Sequence, residues 1–91
     1  MAEKTILVVE DDATLQSVLM YNLTREGYQV EQAVDGTQGL EKARSLKPDF
    51  IILDVMLPKM NGFEICRILR HEQSVPIMIL TVKDDEIDKV V

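Results

Sequence analysis

An α/β fold, with a parallel sheet covered by helices on both faces, is what this sequence predicts, and three observations carry the prediction. Short uninterrupted apolar runs, Ile6-Leu7-Val8-Val9, Phe50-Ile51-Ile52-Leu53 and Ile77-Met78-Ile79-Leu80, read as strands buried on both faces. Segments with helical periodicity lie between the strands. The first and central runs end abruptly in carboxylates, Glu10-Asp11-Asp12 and Asp54 respectively. If those two strands lie side by side and parallel, the acids meet at one edge of the sheet. In open α/β sheets that carboxyl edge is where ligands bind.

In chain order, Asp12 is placed to cap a helix over residues 13–26, with Leu15, Val18, Leu19 and Leu23 on one face. Gly27 is placed to end it in a left-handed turn. Tyr28 to Val34 read as a second, less apolar strand at an edge. Asp35-Gly36 signals a turn, and Leu40, Ala43 and Leu46 mark a second helix that stops before Pro48. The central strand, 50–54, leads into a loop from Val55 to Asn61. Gly62 opens a third helix whose inner face is expected to be Phe63, Ile65, Cys66 and Leu69. Pro76 introduces the fourth strand, 77–81, and Lys83 to Asp88 look like a helix start with acids in the first turn, the chain ending barely a turn in. The alternation βαβαβαβ plus a helical stub requires right-handed crossovers.

Ninety-one residues make one domain, with no room for a second. At 46% hydrophobic and 29% charged, the chain is ordinary globular material rather than disordered. Sixteen acids against ten bases give a net charge of -6, which argues against direct contact with a nucleic-acid backbone. No apolar run approaches the roughly eighteen residues of a membrane span, and the stretch after Met1 to Thr5 is too short for a signal peptide. A cytoplasmic location is the expectation. Cys66, the single cysteine, fits a reducing compartment and sits at an apolar helical position where packing is its expected role. No glycine-rich phosphate loop or Walker lysine motif is present, which disfavours a nucleotide enzyme.

Gathering Glu10, Asp11 and Asp54 is costly, because like charges raise one another's pKa. A hard divalent cation removes the difficulty; Mg2+ takes two or three carboxylates plus a backbone carbonyl and keeps some of its waters. The bland alternative makes these acids solvated strand ends and caps, and Asp12 is assigned to that class. A metal-bound aspartate is also a nucleophile toward phosphorus, forming an aspartyl phosphate. Thr81 ends the fourth strand on the same edge, where its hydroxyl can meet a phosphoryl oxygen or simply finish a strand.

The residues of the first strand through Asp12, the run Asp54-Val55-Met56-Leu57-Pro58 with Asn61-Gly62, and Leu80-Thr81 resemble the receiver domain of bacterial two-component response regulators. Lys83-Asp84-Asp85-Glu86 is similar to the branch carrying a C-terminal winged-helix DNA-binding domain. The resemblance implies a flavodoxin-like (CheY-like) doubly wound sheet of order 2-1-3-4, without the family's fifth strand and last helix. It implies Asp54 as phosphoacceptor, and Asp11, Asp54 and the Met56 backbone carbonyl as Mg2+ ligands, with Glu10 acting through a water. Thr81 becomes the switch hydroxyl and a sensor histidine kinase the phosphodonor. Val82 is bulkier than the residue often found there, and no lysine matches the family's phosphoryl-pairing lysine; Lys83 and Lys59 are only neighbours. His71, near a helix C-terminus, is expected to cap rather than donate phosphate.

Residues 1–91 are accordingly expected to be a shortened receiver with no effector domain, a phosphoacceptor rather than a turnover enzyme. The fourth strand is expected to be an open apolar edge that self-associates through residues 77–81. One sheet face is expected to expose an apolar patch. Two other readings stand beside this one. The first is a truncated or engineered assembly fragment with a relic site. The second is an Asp-nucleophile phosphatase, weakened because Met56 stands where such enzymes carry a second Asp.

Overall fold

The two strongest apolar runs do lie side by side. The computed structural model describes residues 3–57, 60–80 and 89–90. Its elements are β1 (Thr5–Val9), α1 (Ala13–Arg25), β2 (Gln29–Ala33), α2 (Gly36–Leu46), β3 (Phe50–Asp54), α3 (Gly62–Arg70), β4 (Ile77–Leu80) and β5 (Lys89–Val90). The sheet runs β2-β1-β3-β4-β5. The first four strands are parallel, as expected, with Leu7 opposite Ile51 and Val9 opposite Leu53.

Alternation along these strands splits the apolar side chains between two faces. Leu7, Val9, Ile51, Leu53, Ile77 and Ile79 pack with Leu40 and Ala43 of α2 and Ile65, Cys66 and Leu69 of α3. On the other face Ile6, Val8 and Ile52 meet Leu19 and Leu23 of α1. Among the described residues one helix covers this second face, and incompletely. An apolar groove of about 540 Å³, floored by Ile6, Phe50, Ile52 and Met78 and flanked by Leu23, lies open beside α1.

The helix ends follow their caps. Asp12 accepts from Thr14 N and Leu15 N at 2.9 and 3.1 Å, Asp35 from Gln38 N, and Asn61 from Phe63 N. After α1 the chain reverses at Gly27, whose φ of 98° is open to glycine and strained for other residues. His71 caps the C-terminus of α3, its N–H reaching Ile68 and Leu69 carbonyls. α2 instead closes on Lys47 at φ 49°. Lys47→Gly is therefore expected to stabilise the fold by about 0.5–1 kcal/mol in denaturant titration, relief of the left-handed strain exceeding glycine's entropic cost; an unchanged midpoint would contradict this.

Three expectations are corrected. Val18 is 49% exposed, because the inward stripe of α1 runs Gln16, Leu19, Leu23 and Val18 lies 100° off it. Phe63 is 57% exposed, being two residues and 200° before Ile65, while Ile65, Cys66 and Leu69 are buried. The third concerns the chain's end. Residues 83–88, read as a helix start, lie outside the described residues, but Lys89–Val90 is not helical. It pairs antiparallel with β4, Val90 opposite Met78 and Lys89 opposite Ile79. An edge strand's unpaired N–H and C=O groups accept the nearest extended segment, so the expected open edge of 77–81 is covered by the chain itself at Met78 and Ile79.

Candidate metal centre

The register that pairs Val9 with Leu53 brings Glu10 and Asp54, each the next residue, to neighbouring positions at the carboxyl edge. Asp11 joins them. One carboxylate oxygen from each of Glu10, Asp11 and Asp54 lies within 4.8 Å of the others. Glu10 is 2% and Asp54 4% exposed, whereas Asp11 is exposed. Two buried acids side by side demand compensation. Part of it comes from main-chain donors: Asp12 N–H donates to Glu10 Oε2 at 2.8 Å, and Met56 N–H to Asp54 Oδ1 at 3.0 Å. Glu10 Oε1 is buried with no hydrogen-bond partner among the described residues. The ion pairs Arg44–Glu72 and Arg67–Glu64 join surface groups elsewhere.

Burial pushes the Glu10 carboxyl up from 4.5 to about 7; the Asp12 N–H opposes the rise, and the neighbouring Asp54 and Asp11 reinforce it. An orphaned buried carboxylate oxygen beside two further acids is the donor set a hard divalent cation takes, so the residues fit such an ion. The pH dependence follows in sign. A folded pKa above the unfolded one means that the folded state holds the proton more tightly. The resulting stabilisation is complete below about pH 4.5 and lost as pH rises through about 7. The metal-free chain is expected to lose stability across that window, and Glu10→Gln to flatten the slope. Unfolding midpoints from pH 4 to 8 measure it; parallel profiles for the two proteins would contradict the assignment.

The sequence-predicted site residues divide cleanly. Glu10, Asp11 and Asp54 come together, and Met56 touches Asp54 through its amide. Asp12 is the cap it was expected to be. Thr81, Val82, Lys83 and Lys59 lie outside the described residues. Cys66 is a buried free thiol packed in the core. Sequence reading missed Gln16, which is buried directly beneath the β1–α1 turn. The signal was a polar residue at an inward position of α1, three and seven residues before Leu19 and Leu23.

Four parallel strands in the order 2-1-3-4, with acids gathered at the carboxyl ends of β1 and β3, define a receiver-type α/β module. The chain belongs to the family described as "Response regulator receiver domain", which matches residues 6–91. It is 52% identical over 88 residues to the alkaline phosphatase synthesis transcriptional regulatory protein PhoP of Bacillus subtilis, covering 96% of this chain and 37% of that protein. It is 53% identical over 85 residues to the response regulator ArlR of Staphylococcus aureus, covering 93% and 39%. The chain thus spans well under half the length of these curated relatives. Among solved structures it resembles the chemotaxis response regulator CheY4 of Vibrio cholerae, with TM-score 0.86, 34% identity and 91% and 72% coverage. It also resembles the BeF3-activated receiver domain of Klebsiella pneumoniae RstA, with TM-score 0.84, 34% identity and 88% and 68% coverage.

Proposed function

We propose that this chain is the phosphoacceptor module of a two-component response regulator, receiving a phosphoryl group from a sensor histidine kinase on Asp54. The observation that carries this reading is the convergence of Glu10, Asp11 and Asp54 within 4.8 Å, two of them buried, in a member of the receiver family. Asp54 Oδ1 is engaged by the Met56 N–H, which leaves Oδ2 to attack phosphorus. An O–P bond forms as the N–P bond to the kinase's phosphohistidine breaks, and the departing imidazole nitrogen takes a proton. Asp11, Asp54 and the Met56 carbonyl would hold Mg2+, with Glu10 acting through a water. Bound there, the ion would neutralise the crowded phosphoryl and carboxylate oxygens.

Thr81 follows Leu80, whose register partner is Asp54, and is the candidate switch hydroxyl. The module accepts and holds a phosphoryl group rather than turning over substrate, and its place is the cytoplasm. Among the described residues no helix is long and apolar enough to cross a membrane. The likeness to PhoP and ArlR supports a parent protein of the winged-helix branch, controlling transcription through a separate DNA-binding domain. Direct nucleic-acid contact by this acidic chain is no part of the reading.

Incubation with a small-molecule phosphodonor, with Mg2+ or with chelator, tests the reading by intact mass. One added phosphate with Mg2+ and none with chelator is expected; no adduct in either removes it. Self-association through 77–81 has narrower support, since a second copy must displace β5 at Met78 and Ile79. Sedimentation at micromolar concentration is expected to show a dimer, and a compact monomer alone would rule it out.

A further inference from the structure

The β1–α1 turn that carries Asp11 is tied down on both sides of that residue, while among the described residues no side chain holds the Asp11 carboxylate itself. The ties converge on Gln16. Its side chain is 5% exposed, and its Nε2 donates to the Glu10 carbonyl at 2.9 Å and to the Ala33 carbonyl at 3.2 Å. The Ala33 carbonyl also accepts from Glu10 N–H at 3.0 Å, and Gln16 N–H donates to the Asp12 carbonyl at 2.9 Å. One amide therefore joins the ends of β1 and β2 and the first turn of α1.

The Glu10 carbonyl belongs to the peptide unit that links Glu10 to Asp11. Because that unit is planar, gripping its oxygen fixes the direction in which the chain enters Asp11. Downstream, Asp12 is anchored by its cap bonds and by its N–H to Glu10 Oε2. Asp11 is thus suspended between two fixed points and needs no support of its own to stand beside Asp54.

Two acceptors face the Gln16 nitrogen, so the amide cannot turn over, and its Oε1 is left buried with no hydrogen-bond partner among the described residues. A buried unpaired carbonyl is destabilising; a methionine of similar volume would remove this one but leave the Glu10 carbonyl without its donor, so the two costs offset. Stability alone is thus a weak reason for glutamine here; holding the turn is a better one.

We propose that Gln16 is a positioning residue for the acidic site, setting the β1–α1 turn so that Asp11 meets the cation. This rests on the reading of Asp11 and Asp54 as Mg2+ ligands. Gln16→Met removes both donors at nearly constant volume, and Gln16→Lys keeps a donor for the two carbonyls. Hydrogen exchange of the Asp11 and Asp12 amides in the metal-free chain, the Mg2+ dissociation constant by calorimetry and the thermal midpoint are measured for each.

For Gln16→Met, Asp11 exchange about tenfold faster and Mg2+ binding about tenfold weaker are expected, with the midpoint near that of the unsubstituted chain; loss of such a supporting hydrogen bond commonly weakens metal binding 10–100-fold. Gln16→Lys is expected to keep both readouts within about threefold. Unchanged exchange and affinity in Gln16→Met overturn the proposal. If that variant does not fold, a tenfold loss of affinity in a folded Gln16→Lys overturns it equally. Should the unsubstituted chain bind no Mg2+, the functional reading fails, while Asp11 exchange still decides whether Gln16 sets the turn.

Discussion

Asp54→Asn is expected to accept no phosphoryl group above background and, without metal, to unfold at a higher denaturant concentration than the unsubstituted chain. The two effects have one cause. Asparagine keeps an oxygen for the Met56 N–H, which now donates to Asp54 Oδ1 at 3.0 Å, so the loop retains its anchor. It removes one of the two buried acids, and its amide can donate to Glu10 Oε1, which has no hydrogen-bond partner among the described residues. Burial sets most of the rise at Glu10, and removing the Asp54 charge takes away the part that this neighbour adds. The proposed nucleophile, however, is gone. Loss of the adduct together with a gain in stability identifies an acid kept for chemistry against its own folding cost. Loss of both would show that Asp54 holds the fold, and retention of the adduct would place the acceptor elsewhere.

Gly62→Ala is expected to be among the most damaging single-methyl additions to this chain. A Cβ at residue 62 would stand 2.6 Å from the Asp54 carbonyl oxygen and 2.8 Å from Val55 Cα. Both are backbone atoms, so no side chain can swing aside. Gly62 N–H also donates to the Val55 carbonyl at 3.1 Å, locking the start of α3 against the loop that leaves β3. Overpacking of this kind costs about 1–3 kcal/mol. Relief by backbone movement shifts Asp54 itself, and displacements near 1 Å can slow positioned chemistry about a hundredfold. Denaturant titration and the rate of phosphate incorporation measure the two losses. Values matching the unsubstituted chain in both would show that the contact between α3 and the Asp54 loop is dispensable.

How far the sequence disclosed this architecture depends on what kind of force places each residue. The adjacency of β1 and β3 was legible because two buried apolar runs each stopped at a carboxylate, and a parallel register carries such endings to one place. Asp12 was separable from Asp11 because a cap has a local signature, an Asx side chain just ahead of a periodic helix. Val18 and Phe63 were misassigned because apolar character says that a residue can be buried, while the direction in which the helix settles decides whether it is. Gln16 went unread for the complementary reason: a polar residue on the inward stripe of α1 was visible, but the two main-chain carbonyls that hold it, Glu10 just past β1 and Ala33 of β2, are brought to it only by the fold. The strand Lys89–Val90 has no propensity pattern of its own at two residues, and the open edge of β4 recruits it.

The proposed meeting of Asp11 and Asp54 at one cation is tested most directly by locating the phosphoryl group. The chain is phosphorylated by a small-molecule donor in Mg2+, digested at low temperature and mapped by mass spectrometry, beside an Asp11→Asn variant. Phosphate on the peptide bearing Asp54 in the unsubstituted chain, and a strongly reduced yield in the variant, is the predicted result. Phosphate on any other residue, or an equal yield from Asp11→Asn, would contradict it.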